Sequence, residues 1–246
     1  MGEAHDEQEA LRRLLGRTQA VLLDFDGPVT ALFKGTSTAH VADEIKDAVR
    51  EMWGALDQDV EDCDDSHDLL QRVRDMYDRP RAAPRTGEAL ERAERIVTHH
   101  EFVAVKSARP VPHFAGLVKA LQGLGMHLAI VSNNADGPIL EFLKSLGLRS
   151  KFEAVAGRDP HDPRHMKPHP DSVNRAVEHL GLDPSDCLFV GDQLTDLEAS
   201  LRAGTLFLGY TRSKKRAAEM RRRGADWVVS SHKPLISAAM APRNPN

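Results

Sequence analysis

Two aspartates one residue apart close an apolar run: Val21-Leu22-Leu23 leads into Asp24-Phe25-Asp26-Gly27-Pro28. Such a run ending in a glycine turn reads as a buried strand of a parallel sheet, and open α/β sheets bind ligands just beyond the carboxyl ends of their strands. Strand alternation turns Asp24 and Asp26 to one side and Phe25 into the packing behind them. Two carboxylates that close repel. Mg²⁺ removes the conflict, because it takes one or two carboxylates and fills its other positions with water and phosphate oxygens. The same residues also make an ordinary strand-ending turn, so the choice between the two rests on the rest of the chain.

Three more strand ends supply polar groups. Leu128-Ala129-Ile130-Val131 runs into Ser132-Asn133-Asn134, whose hydroxyl and backbone N–H groups suit phosphate oxygens, although the same triplet is a good helix cap. Lys167-Pro168 follows a loop rich in Pro, Asp and His and precedes a helical pattern; this lysine either holds a positive charge over the carboxylates or snorkels at the surface. Leu188-Phe189-Val190-Gly191 delivers Asp192, with Asp196 four residues on. One of that pair can bind an ion while the other holds the lysine or a bound water.

Alternating strands and helices must position these groups. A helix is expected over 7–15, then strands at 20–24, 128–131, 153–156, 187–190, 205–209 and 227–229. Helices are expected between them near 112–124, 138–146, 170–180 and 195–203, followed by a basic helix and a short terminal one. Gly125, Gly147, Gly181 and Gly204 each stand where a helix would end. Between Lys34 and Ser107 no strand pattern occurs, and apolar residues recur at helical spacing: Val41, Ile45, Val49 and Met52, then Leu69, Leu70, Val73 and Met76, then Ala89, Leu90, Ala93 and Ile96. Asp64-Asp65-Ser66 offers a cap for the second of these helices, and the proline-containing stretch 79–84 a break before the third. The expected class is α/β, a mainly parallel sheet covered on both faces, with a helical insert.

The 246 residues carry a net charge of −4, with 41% hydrophobic and 28% charged residues, so no global field argues for nucleic acid or a membrane surface. Cys63 and Cys187, the two cysteines, give no disulfide framework. The start, Met1 to Glu7, lacks an apolar leader and no apolar run reaches membrane-spanning length, so a cytoplasmic location is expected.

In order, Asp24-Phe25-Asp26-Gly27, Ser132-Asn133, Lys167-Pro168 and Gly191-Asp192 with Asp196 resemble the four motifs of the haloacid dehalogenase superfamily. The similarity spans about 20–230 and points to the helical-cap branch, akin to phosphoglycolate phosphatases and β-phosphoglucomutases. It implies a Rossmann-like core of 1–32 and 108–246 and a helical cap of 33–107 that closes over the strand ends. It implies Asp24 as nucleophile, Asp26 as general acid and base, and Ser132, Asn133 and Lys167 as phosphate-binding residues. Mg²⁺ would be held by Asp24, the Asp26 backbone carbonyl and Asp192, with Asp196 outside the direct ligand set. The presence of Asp26 favours phosphate esters over halides or phosphonates as substrates.

The activity so implied is Mg²⁺-dependent hydrolysis of a small phosphorylated metabolite through an aspartyl-phosphate, by a monomer or homodimer. The alternatives are a phosphosugar mutase and a non-catalytic binding or regulatory protein. Pro28 departs from the family pattern, which has Thr there, and removes a backbone donor and a hydroxyl. Lys34 to Ser37, at the first hinge, are candidate substrate contacts. The basic stretch from Arg212 to Arg223 reads as a solvated helix, interrupted by Glu219 and without aromatics, rather than a nucleic-acid site. His161, His165 and His169 are spaced by four, but intervening prolines break any helix that would align them on a transition metal.

Overall fold

The computed structural model describes residues 2–33, 37–80 and 84–241. Lys34, Gly35 and Thr36 of the expected hinge lie outside the described residues. In chain order the elements are α1 (Gly2–Gly16), β1 (Ala20–Asp24), α2 (Ala39–Trp53), α3 (Gln58–Glu61), α4 (Ser66–Asp78), α5 (Glu88–Ser107) and α6 (Phe114–Gly123). Then come β2 (His127–Val131), α7 (Asp136–Ser145), β3 (Ala154–Ala156), α8 (Asp171–Leu180), β4 (Cys187–Gly191) and α9 (Leu194–Ala203). The chain closes with β5 (Leu206–Tyr210), α10 (Lys214–Arg222), β6 (Trp227–Val229) and α11 (Lys233–Met240).

All strand pairs are parallel, in the order β3-β2-β1-β4-β5-β6. The chain moves outward from β1 through β2 to β3, then returns across β1 to start β4. That reversal is a topological switch point, where adjacent strand ends part to leave a crevice. Asp24 ends β1, and Asp192 follows β4 directly beside it.

Alternation along the first strand sorts its side chains onto the two faces as expected. Val21, Leu23 and Phe25 belong to one core layer, and Phe25 meets Phe142 edge-on at 5.3 Å. Ala20 and Leu22 belong to the opposite layer with Phe189 and Phe207. α2, α4 and α5 bury a third cluster of their own, into which Met166, the neighbour of Lys167, also packs.

Local chemistry sets the helix ends. Gly125, Gly147, Gly181 and Gly204 adopt φ of 76, 67, 64 and 81°, a region open to glycine at little cost. Asp65 accepts from the N–H groups of His67 and Asp68, so it caps α4. By contrast, α7 starts at Ala135 without a side-chain cap, so the Ser132-Asn133-Asn134 triplet is not used as one. Both cysteines are free and buried.

Pro28 has a structural account. The turn it occupies is closed by Gly27 N–H to Thr30 O (2.7 Å) and Thr30 N–H to Phe25 O (3.0 Å), neither of which needs a donor at position 28. Its carbonyl accepts from His232 Nε2 at 2.6 Å, a bond that joins the β1 turn to the residue before α11. His232 is buried, stacks on Tyr210 and is pushed down to about 4 by burial, against the raising effect of its bond to Pro28.

An unfolded histidine takes its proton near pH 6.5, before the folded one does, so this group's contribution to stability is lost as pH falls from about 6.5 to 4. In His232→Gln, which keeps a donor for Pro28, that loss is absent. The stability of wild type relative to the variant should therefore drop by on the order of 3 kcal/mol across the window, by urea unfolding at several pH values. A difference independent of pH would contradict the assignment.

Candidate active site

The four expected motifs meet at the switch point. Lys167 Nζ, buried, donates to Asp24 Oδ1 at 2.7 Å and to Asp196 Oδ1 at 2.6 Å. Burial opposes its charge, but the Asp196 and Asp24 carboxylates outweigh that and hold Lys167 more firmly protonated than a free lysine. The carboxylates remain in excess. Burial and the Asp196 charge push Asp24 well above the ordinary carboxylate range, with Lys167 pulling the other way. Asp192 is pushed up to about 7 by burial, then by Asp196 and Asp26.

Oxygens of Asp24, Asp192 and Asp196 lie within 4.8 Å of one another, and among the described residues no other group of three or more acidic, His or Cys side chains could hold a metal ion. His165 and His169 do come together, with rings 5.1 Å apart, but His165 Nδ1 is paired with Asp159. Asp196 has both oxygens committed: Oδ1 to Lys167, and Oδ2 to the N–H groups of Asp192 and Gln193. Asp192 Oδ1 is buried and has no hydrogen-bond partner. An acceptor left without a donor or cation costs about 1–3 kcal/mol, so the donor set fits a hard divalent ion there. Gly27 makes room for it: its φ is +140°, and a Cβ would sit 2.5 Å from that same oxygen.

Asp26 lines the same cavity as Asp24 but is held by the main chain. Its carboxylate accepts from Leu32 N–H at 2.7 Å and Phe33 N–H at 3.3 Å, tying it to the segment that leads into the helical insert. Burial raises its pKa, against those two bonds. Asn133 spends its side-chain amide on the main chain of Lys167, at 2.8 and 3.3 Å. Ser132 Oγ donates to Asn134 Oδ1 and accepts from Asn134 N–H, so its proton is parked within the loop. A cavity of about 280 Å³ joins Asp24, Asp26 and Lys167 to Thr38, Ser66 and His67 of the helical segment. That is near the lower end for small-molecule sites.

Sequence reasoning missed the group that fastens the helical segment to this loop. Glu101 on α5, fully buried, accepts from Asn134 Nδ2 (3.1 Å), the Ala135 N–H (2.9 Å), Arg158 (2.8 Å) and His67 Nε2 (3.0 Å). Arg158, also buried, forks onto Glu94 and donates to the Asn133 carbonyl at 2.7 Å. Burial disfavours the Glu101 anion, but Arg158 and His67 hold it down at about 2. A signal existed: Ala89, Ala93, Val97, Glu101 and Val105 form one inward stripe of α5, and a glutamate on it needs partners. Arg158 sits in a loop with no local pattern to reveal it.

The family model for haloacid dehalogenase-like hydrolases matches residues 18–204. Phosphoglycolate phosphatase of Shigella boydii is 30% identical over 148 residues, 60% of this chain and 58% of that protein. The alignment thus reaches a little over half the length of that relative. Among solved structures, a predicted phosphatase from Clostridium acetobutylicum superposes with a TM-score of 0.62 at 18% identity, over 89% of this chain and 96% of that one. β-Phosphoglucomutase from Clostridium difficile gives 0.58 at 17% identity, over 87% and 91%. Those two likenesses concern the fold.

Glu101→Ala leaves Arg158 with Glu94 as its remaining carboxylate partner and frees the Asn134 amide, and breaking a buried pair in this way costs about 3–5 kcal/mol. Glu219→Ala, which removes the surface pairs with Arg222 and Arg223, should cost far less. Equal losses for the two variants in denaturant unfolding would contradict the role given to Glu101.

Proposed function

We propose that this chain, which belongs to the haloacid dehalogenase-like hydrolase family, hydrolyses a small phosphate monoester by way of a phosphorylated Asp24. The observation that carries the reading is the unpartnered Asp192 oxygen beside the strand end at Asp24, where Lys167, the one ammonium among the described residues there, is already shared by Asp24 and Asp196. The site holds more acceptors than donors, which leaves a place for a cation.

Asp24 attacks phosphorus: a bond forms from its carboxylate oxygen to phosphorus as the ester P–O bond breaks. Asp26, whose burial lets it carry a proton, gives that proton to the leaving alkoxide. Water then attacks the phosphorylated Asp24, its proton passes to Asp26, and the Asp24–phosphorus bond breaks. Lys167 and the Asn133 backbone N–H bind phosphoryl oxygens, joined by Ser132 once its hydroxyl turns from Asn134. Asp24, Asp192 and the Asp26 carbonyl would hold Mg²⁺, while Asp196 orients Lys167 and the β4 turn. When bound, Mg²⁺ supplies charge neutralisation for the carboxylates and the transferring group.

Residues 33–107 act in this reading as a cap that excludes water and meets the organic part of the substrate, through Thr38, Ser66 and His67. The cavity suits an ester of a few carbons, and the name of the Shigella relative makes phosphoglycolate the first substrate to try. Among the described residues no helix is long and apolar enough to cross a membrane. The two free thiols support the cytoplasmic setting expected from the sequence.

Phosphate release from phosphoglycolate or p-nitrophenyl phosphate should require Mg²⁺, stop with a chelator and return on adding the ion back. Asp24→Asn should lower kcat by at least about a thousandfold. Wild-type turnover in that variant would remove Asp24 as nucleophile. Rearrangement of a sugar phosphate without net phosphate release would replace hydrolysis with a mutase activity.

A further inference from the structure

The basic stretch on α10 is not uniformly solvated. Its exposed members surround Arg216, whose guanidinium turns inward and donates to the Asp192 carbonyl at 3.1 Å and to Gln193 Oε1 at 2.8 Å. The Gln193 side chain in turn donates from Nε2 to Asp192 Oδ2 at 3.0 Å. Gln193 is thus oriented at both ends of its amide, by a cation on one side and a carboxylate on the other.

The consequence falls on Asp192. A carboxylate at a strand end is free to spin about its last torsion, and either oxygen can then face the site. Here Oδ2 is pinned by Gln193, so the plane of the carboxylate is set and Oδ1 alone is presented, buried, against the space left by Gly27. The backbone beneath is fixed as well, because Asp196 receives the Asp192 and Gln193 N–H groups while Arg216 holds the Asp192 carbonyl. Gln193 falls in the gap between the two aspartates of the last motif, and Arg216 lies on the helix after β5.

We propose that Gln193 and Arg216 are positioning residues for the divalent cation, acting together to present one oxygen of Asp192 to it. The inference rests on the Mg²⁺-dependent reading above. Partners that orient a metal ligand tune affinity by roughly ten- to hundredfold. The sign is diagnostic. Arg216 is a cation near the ion's place, so if it acted by charge alone, its removal would tighten Mg²⁺ binding; if it positions Asp192, its removal loosens binding.

The test is calorimetric Mg²⁺ binding to the whole chain, with thermal unfolding in the absence of Mg²⁺ to verify the fold. Gln193→Ala and Arg216→Ala should each raise the Mg²⁺ Kd about ten- to hundredfold. Arg216→Lys, which can restore one donor, should fall between. Lys215→Ala, at an exposed neighbouring position of α10, should stay within about twofold of wild type. Unchanged or tighter binding in folded Arg216→Ala and Gln193→Ala overturns the inference alone. A wild-type chain that binds no Mg²⁺ overturns the metal reading and the inference with it.

Discussion

Among the described residues, one ammonium faces four carboxylates at the switch point of the sheet. Lys167 is shared by Asp24 and Asp196, while Asp192 keeps a buried oxygen without a partner and Asp26 leans on two backbone N–H groups. Folding concentrates this charge because strand order brings β1 and β4 side by side with their aspartates at the same end. Much of the local architecture answers that concentration. Glycine at position 27 gives Asp192 room, Asp196 is absorbed by the lysine and the β4 turn, and the residual imbalance defines where a cation fits.

A second buried charge cluster lies beside the first and is resolved differently. Glu94 and Glu101 meet Arg158, His67 and the amide groups of the Ser132–Ala135 loop, so each oxygen of Glu101 has a donor. A network satisfied to that degree confers rigidity. It couples α5 to the Ser132–Ala135 loop, just as Asp26 couples the turn after β1 to Leu32 and Phe33 at the other approach to the insert. The unsatisfied cluster and the satisfied one therefore differ in kind: a place for a cation at the strand ends, and attachment of the helical segment at the loop behind them.

The motifs that end strands were legible because local signals coincide there: an apolar run, a glycine turn and acidic residues within a few positions. The alternation that buries Phe25 and the glycines that end helices were legible for the same reason. What stayed hidden depends on distance in sequence. Arg158 reaches Glu101 across 57 residues, and His232 reaches Pro28 across 204, with no periodicity to announce either. Position 28 illustrates the difference. Proline there could be seen to remove a donor, but that the turn needs none, and that its carbonyl is held from α11's start, follows only from tertiary packing. Arg216 was likewise read as one cation among many on a solvated helix, since its inward turn depends on where α10 docks.

In the proposed mechanism Asp24, and no neighbouring carboxylate at the crowded strand end, takes the phosphoryl. Borohydride reduces an acyl phosphate to the alcohol, so an aspartyl-phosphate is recorded as homoserine. The wild-type chain, mixed with Mg²⁺ and phosphoglycolate, quenched during turnover and reduced, would be mapped by peptide mass spectrometry. The proposed mechanism gives homoserine at position 24 and intact aspartate at 26, 192 and 196. Homoserine at any of those three positions, or phosphate release with position 24 never converted, would contradict it.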